Sequence, residues 1–116
     1  MTDFKHTQKK DILRECFKDG GCCTKCRCEM IFPNYIDLTN TDTNYYKEKN
    51  AAQVDHIYPK TKGGKAKLWN AQVLCRACNR EKSSNTTTGD AVRYHAKDTA
   101  EGLATMINAC LECNIL

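Results

Sequence analysis

One stretch of this chain gathers the residue types that metal-assisted hydrolysis needs. Asp55 and His56 are adjacent, Asn70 follows later in the chain, and Asn79 comes last. Carboxylate and amide oxygens are suitable ligands for a hard cation. A histidine can accept a proton from water near neutral pH, because its ordinary pKa is about 6.5. We therefore predict Asp55 and Asn79 as ligands of one cation and His56 as a general base.

Asn70 cannot titrate, so its predicted role is hydrogen bonding to the backbone across the loop, which would hold His56 in place. Each residue also has a plainer explanation. His56 can be an ordinary hydrogen-bonded histidine, Asn70 can end a turn, and Asn79 can cap a helix. Taken singly, these explanations are at least as good as the catalytic ones. The joint order and spacing of the residues favours the catalytic interpretation.

Two Cys-x-x-Cys pairs enclose this stretch and predict a structural zinc site. Cys23 and Cys26 form the first pair, and Cys75 and Cys78 form the second after 48 intervening residues. Zinc prefers four tetrahedral thiolates, and each pair supplies two from one tight turn. The alternative is buried, inert cysteine. A site with four cysteine ligands leaves no open position, so we expect this zinc to hold the fold and not to catalyse.

The other cysteines leave some questions open. Cys22 and Cys28 flank the first pair, so its register is less secure than that of the second. Cys110 and Cys113 form a third pair, which we interpret as free thiols on an apolar helix. The nine cysteines are an odd number, and the N-terminal sequence MTDFKHTQKK has no apolar stretch of a signal peptide. We expect a soluble protein in a reducing intracellular compartment, with no membrane span.

Positive charge is concentrated around the motif. The chain has a formal net charge of +4, while the segment from residue 60 to 82 carries seven cationic side chains and one Glu, a net +6. The rest of the chain is therefore −2. Such a patch is expected where a protein binds phosphates, although a solvated lysine-rich loop is also common. The predicted nucleic-acid contacts are Lys60, Lys62, Lys65, Lys67, Arg76, Arg80 and Lys82.

Hydrophobic periodicity and breaker residues predict the elements that position these side chains. We expect helices over residues 4–18 and 91–112, the second capped by Asp90. Short strands are expected over 30–38, 53–58 and 69–74, with a polar loop over 39–50. Gly63-Gly64 should form a tight turn, and a helix should begin near Cys78. The apolar positions of the last helix are Val92, Leu103, Met106, Ile107, Cys110 and Leu111.

The residues quoted above, with Pro59, Gly63, Gly64 and Lys82, resemble the HNH endonuclease family, the ββα-metal nucleases. The resemblance covers about residues 20–85. It implies an α+β fold with a ββα-metal core stapled by the four-cysteine zinc site. The family's last histidine is replaced here by Asn79, giving an HNN variant whose metal preference is in doubt. We expect a single nuclease domain over 1–116, with a core of about 20–85 and helical flanks at 1–19 and 90–116.

The resemblance implies cleavage of DNA with Mg²⁺ or Mn²⁺, with His56 as base, Asp55 as metal ligand and Asn70 as orienting residue. The alternative is a non-catalytic zinc module that binds nucleic acid or a protein partner. Restriction, homing and phage DNA processing all fit the prediction. We favour a monomer, in which the C-terminal helix packs on Ile12, Leu13 and Phe17, over a homodimer formed through that helix.

Overall fold

The computed structural model describes residues 3–107, with side chains described for residues 3–101. The chain divides into two compact units, Met1–Thr86 and Thr87–Leu116. The first unit has an α+β fold with a two-stranded antiparallel sheet, which confirms the predicted class. Its main elements are α1 (His6–Lys18), β1 (Ala52–His56), β2 (Ala71–Cys75) and α2 (Arg76–Lys82). Single 3₁₀ turns occur at Tyr45–Lys47, Lys60–Lys62 and Leu68–Asn70.

Helix α1 follows the predicted amphipathic pattern. Leu13 is buried, and Ile12 and Cys16 pack against the core. The helix ends at Lys18 because Gly20 and Gly21 adopt positive φ angles of 108° and 67°, a conformation that glycine accepts without steric cost. The Gly21 N–H donates to the Cys16 carbonyl at 2.9 Å and turns the chain towards the first cysteine pair.

The predicted strand over residues 30–38 is wrong. Ile31 forms one isolated bridge with Ala51, and the chain then turns at Pro33, whose carbonyl accepts from the Ile36 and Asp37 N–H groups. Proline has no N–H to donate to a strand ladder, so pairing stops there. Phe32 is nevertheless buried at 1% exposure, and the apolar pattern of this segment therefore serves the core without extended pairing.

Strands β1 and β2 form a hairpin around a long connection. Their register pairs Val54 with Val73 and Asp55 with Gln72. In the connection, Gly63 has φ of 93°, and a Cβ at Gly64 would lie 1.9 Å from the Tyr58 carbonyl oxygen. Any other residue at position 64 would displace the backbone. The predicted Gly-Gly turn is therefore confirmed, and it returns the chain close to the end of β1.

The hydrophobic core is small and includes most of the paired cysteines. Three thiols share it with aliphatic and aromatic side chains from α1, the segment after it, and both strands. Its buried members are Leu13, Cys23, Met30, Phe32, Ala52, Val73, Leu74, Cys75 and Cys78. A cross-link at these cysteines would therefore act inside the core and not at its edge.

The second unit contains helix α3, Thr88–Ile107. The predicted cap at Asp90 is wrong by three residues, because Thr87 Oγ1 accepts from the Asp90 N–H at 3.0 Å and Asp90 lies in the first turn. The predicted apolar side chains of Leu103, Met106, Ile107, Cys110 and Leu111 lie outside the described residues, as does Cys113. The monomer and the single domain stay predictions. No helix in the described range is long and apolar enough to cross a membrane.

Candidate active site and thiolate site

Four thiols converge as the sequence predicted. The Sγ atoms of Cys23, Cys26, Cys75 and Cys78, called here the thiolate site, all lie within 4.8 Å of one another. The Cys26 and Cys75 sulfurs are 3.8 Å apart. Zinc with Zn–S bonds of about 2.3 Å holds tetrahedral sulfurs about 3.8 Å apart. These thiols therefore fit a zinc ion in number, chemistry and spacing.

The first cysteine pair lies in a compact turn. The Arg27 N–H donates to the Cys23 carbonyl at 2.9 Å, and Arg27 takes a left-handed φ of 68°. The Cys23 N–H in turn donates to the Cys28 carbonyl. These bonds fold residues 23–28 back on themselves, so that both thiols of the pair face the second pair. The register with Cys23 and Cys26, which Cys22 and Cys28 had left open, is the one that forms the cluster.

The two pairs differ in how readily their thiols ionise. Burial opposes ionisation of Cys23, but the backbone N–H groups of Cys75, Cys26 and Lys25 outweigh it and lower the pKa of this thiol to about 6. The Cys28 N–H lowers the pKa of Cys26. Burial raises the pKa of Cys78. Thiolates are the metal-binding form, and Cys23 and Cys26 therefore ionise more readily than Cys78.

The thiolate site also fixes the start of α2. Cys75 caps this helix, its sulfur accepting from the Cys78 N–H at 3.4 Å. A helix of seven residues is too short to be stable alone, so its direction must come from such anchors. Asn79 and Lys82 lie three residues apart and so project from one face of α2. The predicted helix therefore begins at Arg76, two residues before Cys78.

That face of α2 contacts β1 through two polar pairs. The Asn79 amide nitrogen donates to Gln53 Oε1 at 2.7 Å, and the Lys82 ammonium lies 3.0 Å from Asp55 Oδ2. Gln53 and Asp55 share one face of β1 because strand side chains alternate. Gln72 Nε2 also donates to Asp55 Oδ2 at 3.0 Å. We call Gln53, Asp55, Gln72, Asn79 and Lys82 the polar site.

The Asp55 carboxylate is already bound to a cation in the form of the Lys82 ammonium. Both side chains are largely buried, at 15% and 12% exposure. The same ammonium donates to the His56 carbonyl at 3.0 Å. A carboxylate that faces a positive charge in a half-buried position, beside an amide that can offer its oxygen, is a suitable donor set for a hard cation.

His56 projects from the other face of β1. The residue is 7% exposed, and its ring lies 4.4 Å from the Phe4 ring, centroid to centroid, at 37°. Asp55 and His56 are thus adjacent in sequence but contact different parts of the fold, α2 in one case and the residues before α1 in the other. The strand geometry does not bring these two side chains into one cluster.

Asn70 is buried and bonded to the backbone of the connection. Its Oδ1 accepts from the Tyr58 N–H at 2.8 Å, and its Nδ2 donates to the carbonyls of Tyr58 and Lys65. Its own carbonyl accepts from the Ile57 N–H. Asn70 therefore ties together both ends of the connection directly after His56. This is the pattern of contacts that an orienting residue needs.

The predicted cationic side chains fall into two groups. Lys62, Lys65, Lys67 and Arg80 are exposed. The other three are less exposed: Lys60 pairs with Asp3 at 3.9 Å, Lys82 pairs with Asp55, and Arg76 donates to the Lys47 carbonyl at 2.8 Å. The exposed group is the better candidate for direct contact with phosphates, since its charges meet solvent.

The sequence interpretation missed Gln53, Gln72 and Phe4. Two signals could have found the glutamines. Gln53 precedes Asp55 by two residues, so it must share its strand face, and Gln72 lies opposite Asp55 in the hairpin register. The predicted helix over residues 4–18 includes Phe4, which instead lies before α1. No local pattern links Phe4 to His56, because their contact depends on how the residues before α1 meet the hairpin.

One family model matches the segment of the chain that contains the predicted catalytic residues. Residues 43–89 match the family model described as HNH endonuclease, which is 47 of the 116 residues. The match includes Asp55, His56, Asn70, Asn79 and the second cysteine pair. It does not include α1 or the first cysteine pair. No curated protein and no solved structure matches the chain.

Proposed function

We propose that this chain, whose residues 43–89 match the HNH endonuclease family model, is a metal-dependent endonuclease that hydrolyses phosphodiester bonds in DNA. The family implies a nuclease, while the substrate, the residues and the cation are our proposal. The observation that carries the proposal is the position of the Asp55 carboxylate. It lies half-buried against the Lys82 ammonium of α2, and the Asn79 amide lies one helical turn before Lys82. A binding module without catalysis has no need of this arrangement.

Asp55 and Asn79 would hold the catalytic cation through oxygen atoms. The bond to Gln53 uses the Asn79 amide nitrogen, which directs its role as a metal ligand to Oδ1. A bound Mg²⁺ or Mn²⁺ would supply positive charge to the scissile phosphate and to the leaving 3′ oxygen. The Lys82 ammonium exchanges its contact with Asp55 for one with phosphate when substrate binds.

His56 accepts the proton of the attacking water. A general base needs one ring nitrogen at the water and not an exposed ring, so an exposure of 7% is compatible with this role. Asn70 holds the backbone directly after His56 through the Tyr58 N–H and carbonyl. The family resemblance implies that the products carry 5′-phosphate and 3′-hydroxyl ends.

The exposed cationic side chains bind the DNA backbone. Lys62, Lys65 and Lys67 lie on the connection that follows His56, and Arg80 lies on α2 beside Asn79. Contacts of this kind position the strand and do not read its sequence. Zinc bound at the thiolate site would stabilise the fold that carries these side chains.

The test is cleavage of supercoiled plasmid by zinc-loaded protein with and without Mg²⁺. We expect nicked or linear product only with Mg²⁺. His56→Ala should slow cleavage by about 10²- to 10⁴-fold, the usual range for loss of a general base. Asp55→Ala and Asn79→Ala should also raise the Mg²⁺ concentration needed for half-maximal rate.

His6→Ala is the matched control, because His6 is an exposed histidine of α1 whose ring lies near Tyr35. It should cleave at the wild-type rate. Plasmid that is retarded on a gel but never cut under any metal would contradict the proposal and support the non-catalytic zinc module. Wild-type rates in His56→Ala would reject the base assignment alone.

A further inference from the structure

Phe4 is a buried aromatic residue outside the main core. Its exposure is 4%, yet it does not belong to the cluster of core side chains around the thiolate site. Its ring faces the His56 imidazole at 4.4 Å. Phe4 also lies far in sequence from residues 43–89, the segment that matches the nuclease family. The environment of the family histidine is therefore completed by a residue from outside that segment.

The residues around Phe4 are fastened to the hairpin connection at two points. Before it, Asp3 pairs with Lys60 at 3.9 Å and accepts the Phe4 N–H at 2.8 Å. After it, Gln8 Nε2 donates to the Ala66 carbonyl at 3.3 Å. Lys60 and Ala66 both lie in the connection that runs from His56 to Asn70. The contact between Phe4 and His56 is thus supported on both sides along the chain.

We propose that Phe4 is a positioning residue for His56 and sets the orientation of its ring for proton transfer. This inference rests on the proposed function, in which His56 is the base. An aromatic face against an imidazole leaves the ring fewer orientations than open solvent does. The backbone of His56 is held by β1 and by the bond from Lys82, and Phe4 contacts the imidazole ring itself.

The expected consequence is kinetic. Loss of the aromatic face lets the His56 ring turn away from the attacking water without moving the cationic side chains that bind DNA. Small displacements of a catalytic group cost up to about 10²-fold in rate. Phe4→Leu, which keeps apolar volume but not a planar ring, should therefore lower kcat by about 10-fold or more at unchanged KM.

Steady-state cleavage of a labelled duplex should be measured for three variants of the zinc-loaded full chain. Phe4→Tyr keeps the ring and should retain nearly the wild-type kcat. Phe17→Ala is the control, since it removes an aromatic side chain at the far end of α1 that contacts Phe32 at 5.2 Å and not His56. If Phe4→Leu matches wild type, or if Phe17→Ala loses kcat equally, the inference is wrong.

Nuclear magnetic resonance of the imidazole groups gives a readout that does not require cleavage. A phenyl ring 4.4 Å away shifts the His56 ring-proton resonances by its ring current. Phe4→Tyr should keep this shift, and Phe4→Leu should lose it. Unshifted His56 signals in the wild-type protein would overturn the inference even if a variant failed to fold. A shifted signal in a protein that never cuts DNA would instead reject the proposed function.

Discussion

The thiolate site and the polar site are both built on β1, β2 and α2, but in different ways. The thiolate site is made of four soft ligands whose sulfurs lie within 4.8 Å, three of them buried in the core. The polar site is made of amides, a carboxylate and an ammonium that bond to one another. The first arrangement leaves no position for a substrate. The second has partners that can be exchanged.

This difference favours a structural role for the thiolate site and a catalytic role for the polar site. Closed four-thiolate sites stabilise small folds, while sites that act on substrates need a position that can open. The two are nevertheless linked, because Cys75 caps α2 and α2 carries Asn79 and Lys82. The thiolate site and His56 also depend on residues before position 43. The thiolate site takes two ligands from there, and His56 takes Phe4.

The largest effect on folding is expected at the thiolate site. Cys78→Ser removes a buried ligand and should unfold the first unit. Zinc binding contributes about 10 kcal/mol or more of folding free energy in small zinc modules. Circular dichroism with metal analysis should find about one zinc per chain in the wild type and a loss of folded signal in the variant.

Cys22→Ser is the control for this change. Cys22 is an exposed thiol next to the cluster but outside its four ligands. The Cys22→Ser variant should bind zinc and should unfold at the same denaturant concentration as the wild type. Zinc-free protein that keeps the wild-type structure would contradict the structural role of the thiolate site.

The sequence predicted the two sites unequally well. Cysteine pairs have a spacing that identifies them as ligands before any fold is known, and all four converge. The glycine turn and Asn70 were also predictable, because each solves a local backbone problem in the connection. The partners of the polar site were harder to predict, because Gln53 and Gln72 acquire meaning only once the two strands and their register are assigned.

Two misses have the same physical origin. The segment 30–38 has the apolar content of a strand, but Pro33 removes a donor and the chain turns. Phe4 has the position of an ordinary core residue of the predicted helix over residues 4–18, but it contacts His56. In both cases local pattern identified burial correctly. The residues that each of them contacts depend instead on how segments far apart in sequence pack together.

An intermediate effect is expected at the Asp55–Lys82 pair. Asp55→Ala leaves a half-buried ammonium without its carboxylate and should cost about 2 kcal/mol, less than a fully buried pair because both side chains keep some exposure. The double variant Asp55→Ala/Lys82→Met removes the unpaired charge and should recover much of this stability. Cleavage should stay slow in both. Urea unfolding and plasmid cleavage measure the two properties separately.

This result would sharpen the contrast between the sites. If the double variant regains stability but not activity, the pair is not needed to hold the fold, whereas no second substitution should restore a lost thiolate ligand. Recovery of cleavage together with stability would show instead that Asp55 acts only by satisfying Lys82. The metal-ligand role of Asp55 would then be withdrawn.

The smallest effect is expected at Asp3, which helps to hold Phe4 over His56. Burial opposes ionisation of its carboxyl, but the Phe4 N–H and the Lys9 and Lys60 ammonium groups lower the pKa of Asp3, so it is charged at neutral pH. Its side chain is 55% exposed, and exposed ion pairs contribute about 0–1 kcal/mol. Asp3→Asn should therefore reduce the free energy of unfolding by less than about 1 kcal/mol.

The salt dependence of the free energy of unfolding distinguishes a contribution of the Asp3 ion pairs from one made by packing. A stabilising effect of Asp3 that comes from Lys9 and Lys60 should decrease between 0.05 M and 1 M sodium chloride, because exposed charges are screened over about 3 Å at the higher concentration. Urea unfolding of wild type and Asp3→Asn at both concentrations tests this. A difference that persists at high salt would show that the ion pairs are not its source, and Asp3→Ala, which also removes the acceptor of the Phe4 N–H, would then measure that bond. In that case the contact between Phe4 and His56 depends on backbone order before α1, as the thiolate site depends on the turn at Cys23.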